Sequence, residues 1–153
     1  MRNKNKLLIE QLDQKLVGFK PAASISVPDR GWIHTVRKVL GMTMKQLGAK
    51  LDLSAGAVQK IEEREAMGQI SVNKLKEVGN ALGLKFVYGF VPIDGSIDNM
   101  VTKRAEELAE RIVLRTNQNM QLEDQGIPDE KIKESIKDLA IEIKREMRRS
   151  IWD

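Results

Sequence analysis

The sequence predicts a mainly α-helical chain, and three observations carry that prediction. Apolar residues recur at three- and four-residue spacings, from Leu7, Leu8, Leu12 and Leu16 near the start to Ile132, Ile136, Leu139, Ile143 and Met147 near the end. Serine, threonine and glycine fall where helices would begin and stop. Residues 43–65, TMKQLGAKLDLSAGAVQKIEERE, have the pattern of two short helices joined by a tight turn. The expected architecture is a helix-turn-helix core with one short β-strand and a C-terminal helical hairpin. Its divisions are 1–30 for an N-terminal amphipathic helix and connector, 31–92 for the core with its strand, and 93–153 for the hairpin.

Residues 4–19 form the first expected helix, with Leu7, Leu8, Leu12, Leu16 and Phe19 on one face and Glu10, Gln11, Asp13, Gln14 and Lys15 between them. Such a stripe needs a covering surface, in its own domain or on a partner. Residues 18–31 carry two prolines and small residues and read as a connector, with an extended piece at 25–27. Residues 32–40 make a helix that Gly41 ends, with Ile33, Val36 and Leu40 facing inward.

In the motif that follows, Leu47, Leu51, Leu53, Val58 and Ile61 fall at core-facing offsets. Thr43 and Ser54 can each cap a helix by accepting a backbone N–H. Gly48 suits close packing, and Asp52 takes the turn position that demands a left-handed backbone. Ser71 then caps a helix that Gly83 closes, with Val72, Leu75, Val78, Ala81 and Leu82 buried. Residues 84–92, LKFVYGFVP, crowd β-branched and aromatic side chains between a glycine and a proline and predict the strand. A lone strand leaves its backbone unpaired, so it must pair with 25–27 or with its own copy in a second subunit. After the Asp94-Gly95 turn, helices over about 98–123 and 129–150 complete the hairpin.

Composition sets bounds on function. The 153 residues suffice for one ordinary domain with extensions, and the formal net charge of +4 suits a polyanion partner. With no cysteine and a single histidine, His34, neither a thiolate or clustered-ligand metal site nor a nucleophile–base triad can be assembled. No phosphate-cradling glycine loop is present, and the adjacent pairs Glu62-Glu63 and Glu106-Glu107 read as solvated helix surface. The expectation is a non-enzyme without metal or cofactor, cytoplasmic, with no membrane-spanning segment and no signal peptide.

The outer face of the second motif helix is where a DNA groove would be met. Ala55 and Gly56 offer close approach or an apolar contact to a thymine methyl, and Gln59 and Lys60 can hydrogen-bond base edges: a glutamine amide suits adenine, a lysine guanine or phosphate. Thr43, Lys45, Lys50, Ser54 and Arg64 are candidate backbone contacts. A symmetric homodimer would recognise an inverted repeat in double-stranded DNA. The other reading of the small Ala-Gly-Ala tip is a scaffold that no longer binds DNA.

The motif region resembles the Xre/Cro-type helix-turn-helix proteins. The wider chain resembles the family called mobile mystery protein A through QLDQKL at 11–16, RGWIHTVRKVLGMT at 30–43, ALGLKFVYGFVP at 81–92, NMQLEDQ at 119–125 and the terminal IWD. The VYGFVP and IWD segments are the more specific part of the likeness. Members are typically encoded beside a Fic-domain protein, so the resemblance implies an antitoxin that inhibits an AMP-transferring Fic toxin and represses its own promoter. The alternative is a stand-alone Xre-family repressor whose hairpin serves dimerisation. A third reading is a purely protein-binding inhibitor.

The resemblance also gives the hairpin a role. Many Fic proteins are held off by a helix carrying Ser or Thr, three residues, Glu, then Gly or Asn, whose glutamate pairs with an arginine that otherwise holds the ATP γ-phosphate. Residues 119–124 fit that spacing with Asn119 for Ser/Thr and Asp124 for Gly/Asn, and Glu123 alone matches strictly. Asn119 and Glu123, four apart, share a helix face. The implied inhibitory residues are therefore Asn119 and Glu123.

Overall fold

Hydroxyl side chains mark three helix starts in the middle of the chain. Thr43 Oγ1 accepts the Gln46 N–H at 3.0 Å while Gln46 Oε1 accepts the Thr43 N–H at 2.8 Å, a reciprocal capping box. Ser54 and Ser71 accept the N–H groups of Ala57 and Lys74, each at 3.1 Å. The computed structural model describes residues 2–122 and 128–153. In chain order these form α1 (Arg2–Leu16), a 3-10 helix (Val17–Ser24), α2 (Trp32–Val39), α3 (Met44–Leu51), α4 (Ala55–Ala66), α5 (Val72–Ala81), α6 (Ile97–Leu122), α7 (Asp129–Glu146) and a closing 3-10 helix (Arg149–Trp152). The chain is mainly α-helical, as its periodicity predicts.

The residues gather into two compact units. Ser24–Tyr88 holds α2 to α5 around Ile33, Leu47, Val58, Ile61 and Val78, with Met44, Leu51, Leu53, Leu75 and Leu82 packed against them. The other unit joins the residues up to Ala23 with those from Gly89 onward. There Val101, Ala105 and Ala109 of α6 meet Ala140 and Ile143 of α7, and Ile151 closes the cluster. Early α6 residues face late α7 residues, so the two helices run antiparallel. Three alanines at the seam allow close approach. Lys144 reinforces the pairing through a 2.8 Å ion pair with Asp98.

In the same unit α1 packs through Ile9, and Asp13 caps α6 from outside that helix. One Asp13 carboxylate oxygen accepts the Ile97 N–H at 2.7 Å and the other the Asp98 N–H at 3.1 Å. A carboxylate is well placed there, because it meets unpaired donors and the positive end of the helix dipole.

One expectation is unconfirmed and two need correction. Among the described residues no strand is found: 84–92 has no regular structure, and neither does 25–28. A strand requires a ladder partner, and the described residues supply none. The α1 stripe is covered only in part, since Leu7, Leu8 and Leu12 are exposed, Leu16 and Phe19 are half-buried, and Ile9, outside the expected row, packs against the core. The last helix stops at Glu146 and not at 150, because Met147 turns into the left-handed region at φ 50° and a 3-10 turn follows. Beside that turn the 2.7 Å hydrogen bond from Arg148 Nε holds the Glu146 carboxyl below the ordinary carboxylate range.

Candidate nucleic-acid interface

The α3–α4 pair is fixed at its turn by backbone geometry. Asp52 adopts a left-handed conformation, φ 56° and ψ 41°, and the Leu53 N–H then donates to the Gly48 carbonyl at 2.8 Å. A Cβ at Gly48 would run into the Leu53 carbonyl oxygen, so the turn can close only over glycine. The aspartate at position 52 fills a place where glycine is usual, and its short polar side chain tolerates it.

Behind the pair lies a polar anchor. Arg37 and Glu62 are each only 4% exposed. The Arg37 Nε lies 3.1 and 3.2 Å from the two Glu62 carboxylate oxygens, and its Nη2 donates to Oε1 at 2.9 Å. The remaining arm, Nη1, donates to the Met42 carbonyl at 2.9 Å. His34 Nδ1 lies 2.8 Å from the same Glu62 oxygen. One turn further along α4, the Glu65 carboxylate accepts the Trp32 and Ile33 N–H groups at 2.9 and 2.8 Å and caps α2. Gly31 beside it has φ 86°, a positive value that suits glycine, and a Cβ there would lie 2.7 Å from that carboxylate and push it from its cap position.

Glu62 and Glu65 thus bind α4 to α2 from its inner face. Sequence reasoning missed both, reading Glu62 as solvated surface and giving Glu65 no role. A signal was available: His34 with Arg37 and Glu62 with Glu65 are complementary pairs at three-residue spacing, each on one helix face.

With Val58, Ile61 and Glu62 turned inward, α4 presents its other side to solvent. Thr43, Lys45, Lys50, Ser54, Ala55, Gly56, Gln59, Lys60 and Arg64 are all exposed. The α3–α4 pair brings them together within one unit, although Thr43 and Ser54 also spend their hydroxyls as caps. None of the four cations among them enters an ion pair within the described residues. Gln59 Nε2 donates to Glu63 Oε1 at 3.2 Å, which leaves the amide oxygen and one N–H available. An open groove of about 400 Å³ runs beside this face, lined by Arg30, His34, Met44, Gln59, Glu62 and Glu63 among others. It adds Arg30 as a cation near Gln59 that the motif alone did not suggest.

Asn119 lies exposed near the end of α6, in the other unit, and Glu123 lies outside the described residues. The described residues hold no group of three or more His, Asp or Glu that could bind a metal ion, and no described helix is long and apolar enough to cross a membrane.

No family model, curated protein or solved structure matches the chain. What the exposed face can do follows from its geometry and chemistry.

Proposed function

We propose that this chain is an antitoxin that binds its own promoter through the α3–α4 pair and restrains a Fic-type AMP-transferring toxin through its C-terminal helices. In this reading α3 and α4 are the helix-turn-helix of an Xre/Cro-like core, working in the cytoplasm as a homodimer on an inverted repeat. The observation that carries the DNA half is the division of α4 into two faces. Core packing and the Arg37–Glu62 anchor lock one, while the other exposes Gln59, Lys60 and Arg64 beside a capped N-terminus. A rigid helix with cations and an amide on its free side suits major-groove entry, with lysine and arginine on phosphates and the glutamine against adenine.

The toxin half rests on the family resemblance, and the uncovered Leu7, Leu8 and Leu12 of α1 support a protein partner for that unit. Glu123 would act by pairing with the arginine that holds the ATP γ-phosphate.

Gel shifts on the DNA upstream of the gene, repeated across a salt series, test the DNA half. Neutralising several phosphates predicts a steep loss of affinity, of order a thousandfold or more between about 50 and 200 mM salt for six or more contacts. A chain that shifts no DNA even at low salt loses the promoter role and remains a protein-binding inhibitor. Co-expression with the neighbouring gene product and pull-down tests the other half, and absence of a Fic protein there leaves a stand-alone repressor.

A further inference from the structure

Residues 84–92 have the composition of a strand but no regular structure and no ladder partner among the described residues. Phe86 and Tyr88 stack with centroids 5.9 Å apart and planes 21° from parallel. Side chains two apart share a face in extended chain, and the Phe86–Tyr88 contact has the spacing a strand would give. Lys76 Nζ sits 5.8 Å from the centre of the Tyr88 ring and helps to hold it. Yet no backbone N–H or C=O of residues 85–91 enters a hydrogen bond within the described residues. Phe86 is half-buried, but its neighbours are bare: Val87 and Tyr88 are each 62% exposed and Phe90 is 80% exposed.

Of the two partners open to such a strand, the chain's own 25–27 segment is excluded, for it is neither paired nor strand in the structure. We infer that residues 85–89 pair antiparallel with the same residues of a second copy of this chain, in a register centred on Val87. The inference deepens the reading of the protein as a DNA-binding dimer and rests on it for its purpose.

Self-pairing about a two-fold axis is the arrangement this stretch fits. In that register Phe86 of one copy lies opposite Tyr88 of the other, so aromatic meets aromatic on one face. Lys85, the one charged residue of 84–92, lies opposite Gly89 and not its own copy. No like charges meet across the pair. Each copy also supplies the donors and acceptors the other lacks, which is how an extended segment gains affinity from backbone alone.

The chain has no cysteine, so one introduced thiol reports its own neighbourhood. Val87→Cys should cross-link to itself under mild oxidation and run at twice the monomer mass on a non-reducing gel. Val39→Cys, at the end of α2 and more exposed still, should not. Sedimentation equilibrium should find the parent chain dimeric and Val87→Pro, which removes a ladder donor at an exposed site, monomeric with unchanged circular dichroism. A parent chain that is monomeric, a Val87→Cys chain that cross-links no better than Val39→Cys, or a Val87→Pro chain that stays dimeric overturns the interface. A monomer that still shifts a DNA half-site removes the interface alone. A dimer cross-linked at 87 that shifts no DNA keeps the interface and removes the DNA reading.

Discussion

At the scale of single residues, the contact that ties α4 to α2 in the Ser24–Tyr88 unit is the buried pair of Arg37 and Glu62. Glu62 Oε1 accepts from Arg37 Nη2 at 2.9 Å and lies 2.8 Å from His34 Nδ1, so two side chains of α2 converge on one carboxylate of α4. Glu62→Ala would strand the Arg37 guanidinium in the core. Removing one partner of a buried ion pair costs about 3–5 kcal/mol, whereas replacing both by apolar residues costs far less. Urea unfolding should therefore show a large drop in midpoint for Glu62→Ala and a much smaller one for Arg37→Met with Glu62→Leu. Equal losses in the two variants would mean that the anchor matters through packing and not through charge. This anchor was hard to read because its partners lie 25 residues apart, and helical spacing specifies which side chains share a face, not which faces meet. The exposed candidates Gln59, Lys60 and Arg64 were legible for the opposite reason: they occupy the positions left over once the apolar residues of α4 have turned inward.

At the scale of elements, the legible features are those whose physics is local. Thr43, Ser54 and Ser71 cap their helices because each hydroxyl needs only the N–H three residues ahead. Gly41, Gly68 and Gly83 adopt positive φ at the helix ends where the sequence places breaks. What failed was non-local. The 84–92 segment has strand chemistry but no ladder among the described residues, and α1 packs Ile9 on the core while Leu7, Leu8 and Leu12 stay exposed, because the surface it meets is built far along the sequence. The Ser54 cap matters twice, since its loss frays the first turn of the helix that would enter the groove. Ser54→Ala should destabilise by about 0.5–2 kcal/mol and Ser54→Asp should retain most of that stability. Denaturant midpoints check it, and an alanine variant as stable as the parent would show that the end of α4 is held by its core contacts alone.

At the scale of the whole molecule, two compact units correspond to two proposed tasks, and that correspondence has a consequence of its own. The candidate DNA contacts all lie in Ser24–Tyr88, whereas Asn119 belongs to the unit that contains the hairpin. The tasks should therefore be separable by mutation. Lys60→Ala and Arg64→Ala each remove an exposed cation that has no ion-pair partner among the described residues, so neither should disturb folding. Each should weaken DNA binding across all sequences and lower the salt slope by about 1. Gln59→Ala should instead relax preference at one base pair, by about 1–3 kcal/mol of discrimination. None of the three should alter restraint of the toxin. Glu123→Gly should do the reverse: the complex still forms and operator binding is unchanged, but AMP transfer resumes because no carboxylate competes for the phosphate-binding arginine. Gel shifts beside an AMP-transfer assay on the same set of variants read both tasks at once. Inhibition that survives Glu123→Gly intact would sink the glutamate mechanism, and loss of inhibition in Lys60→Ala would mean that the two units do not act independently.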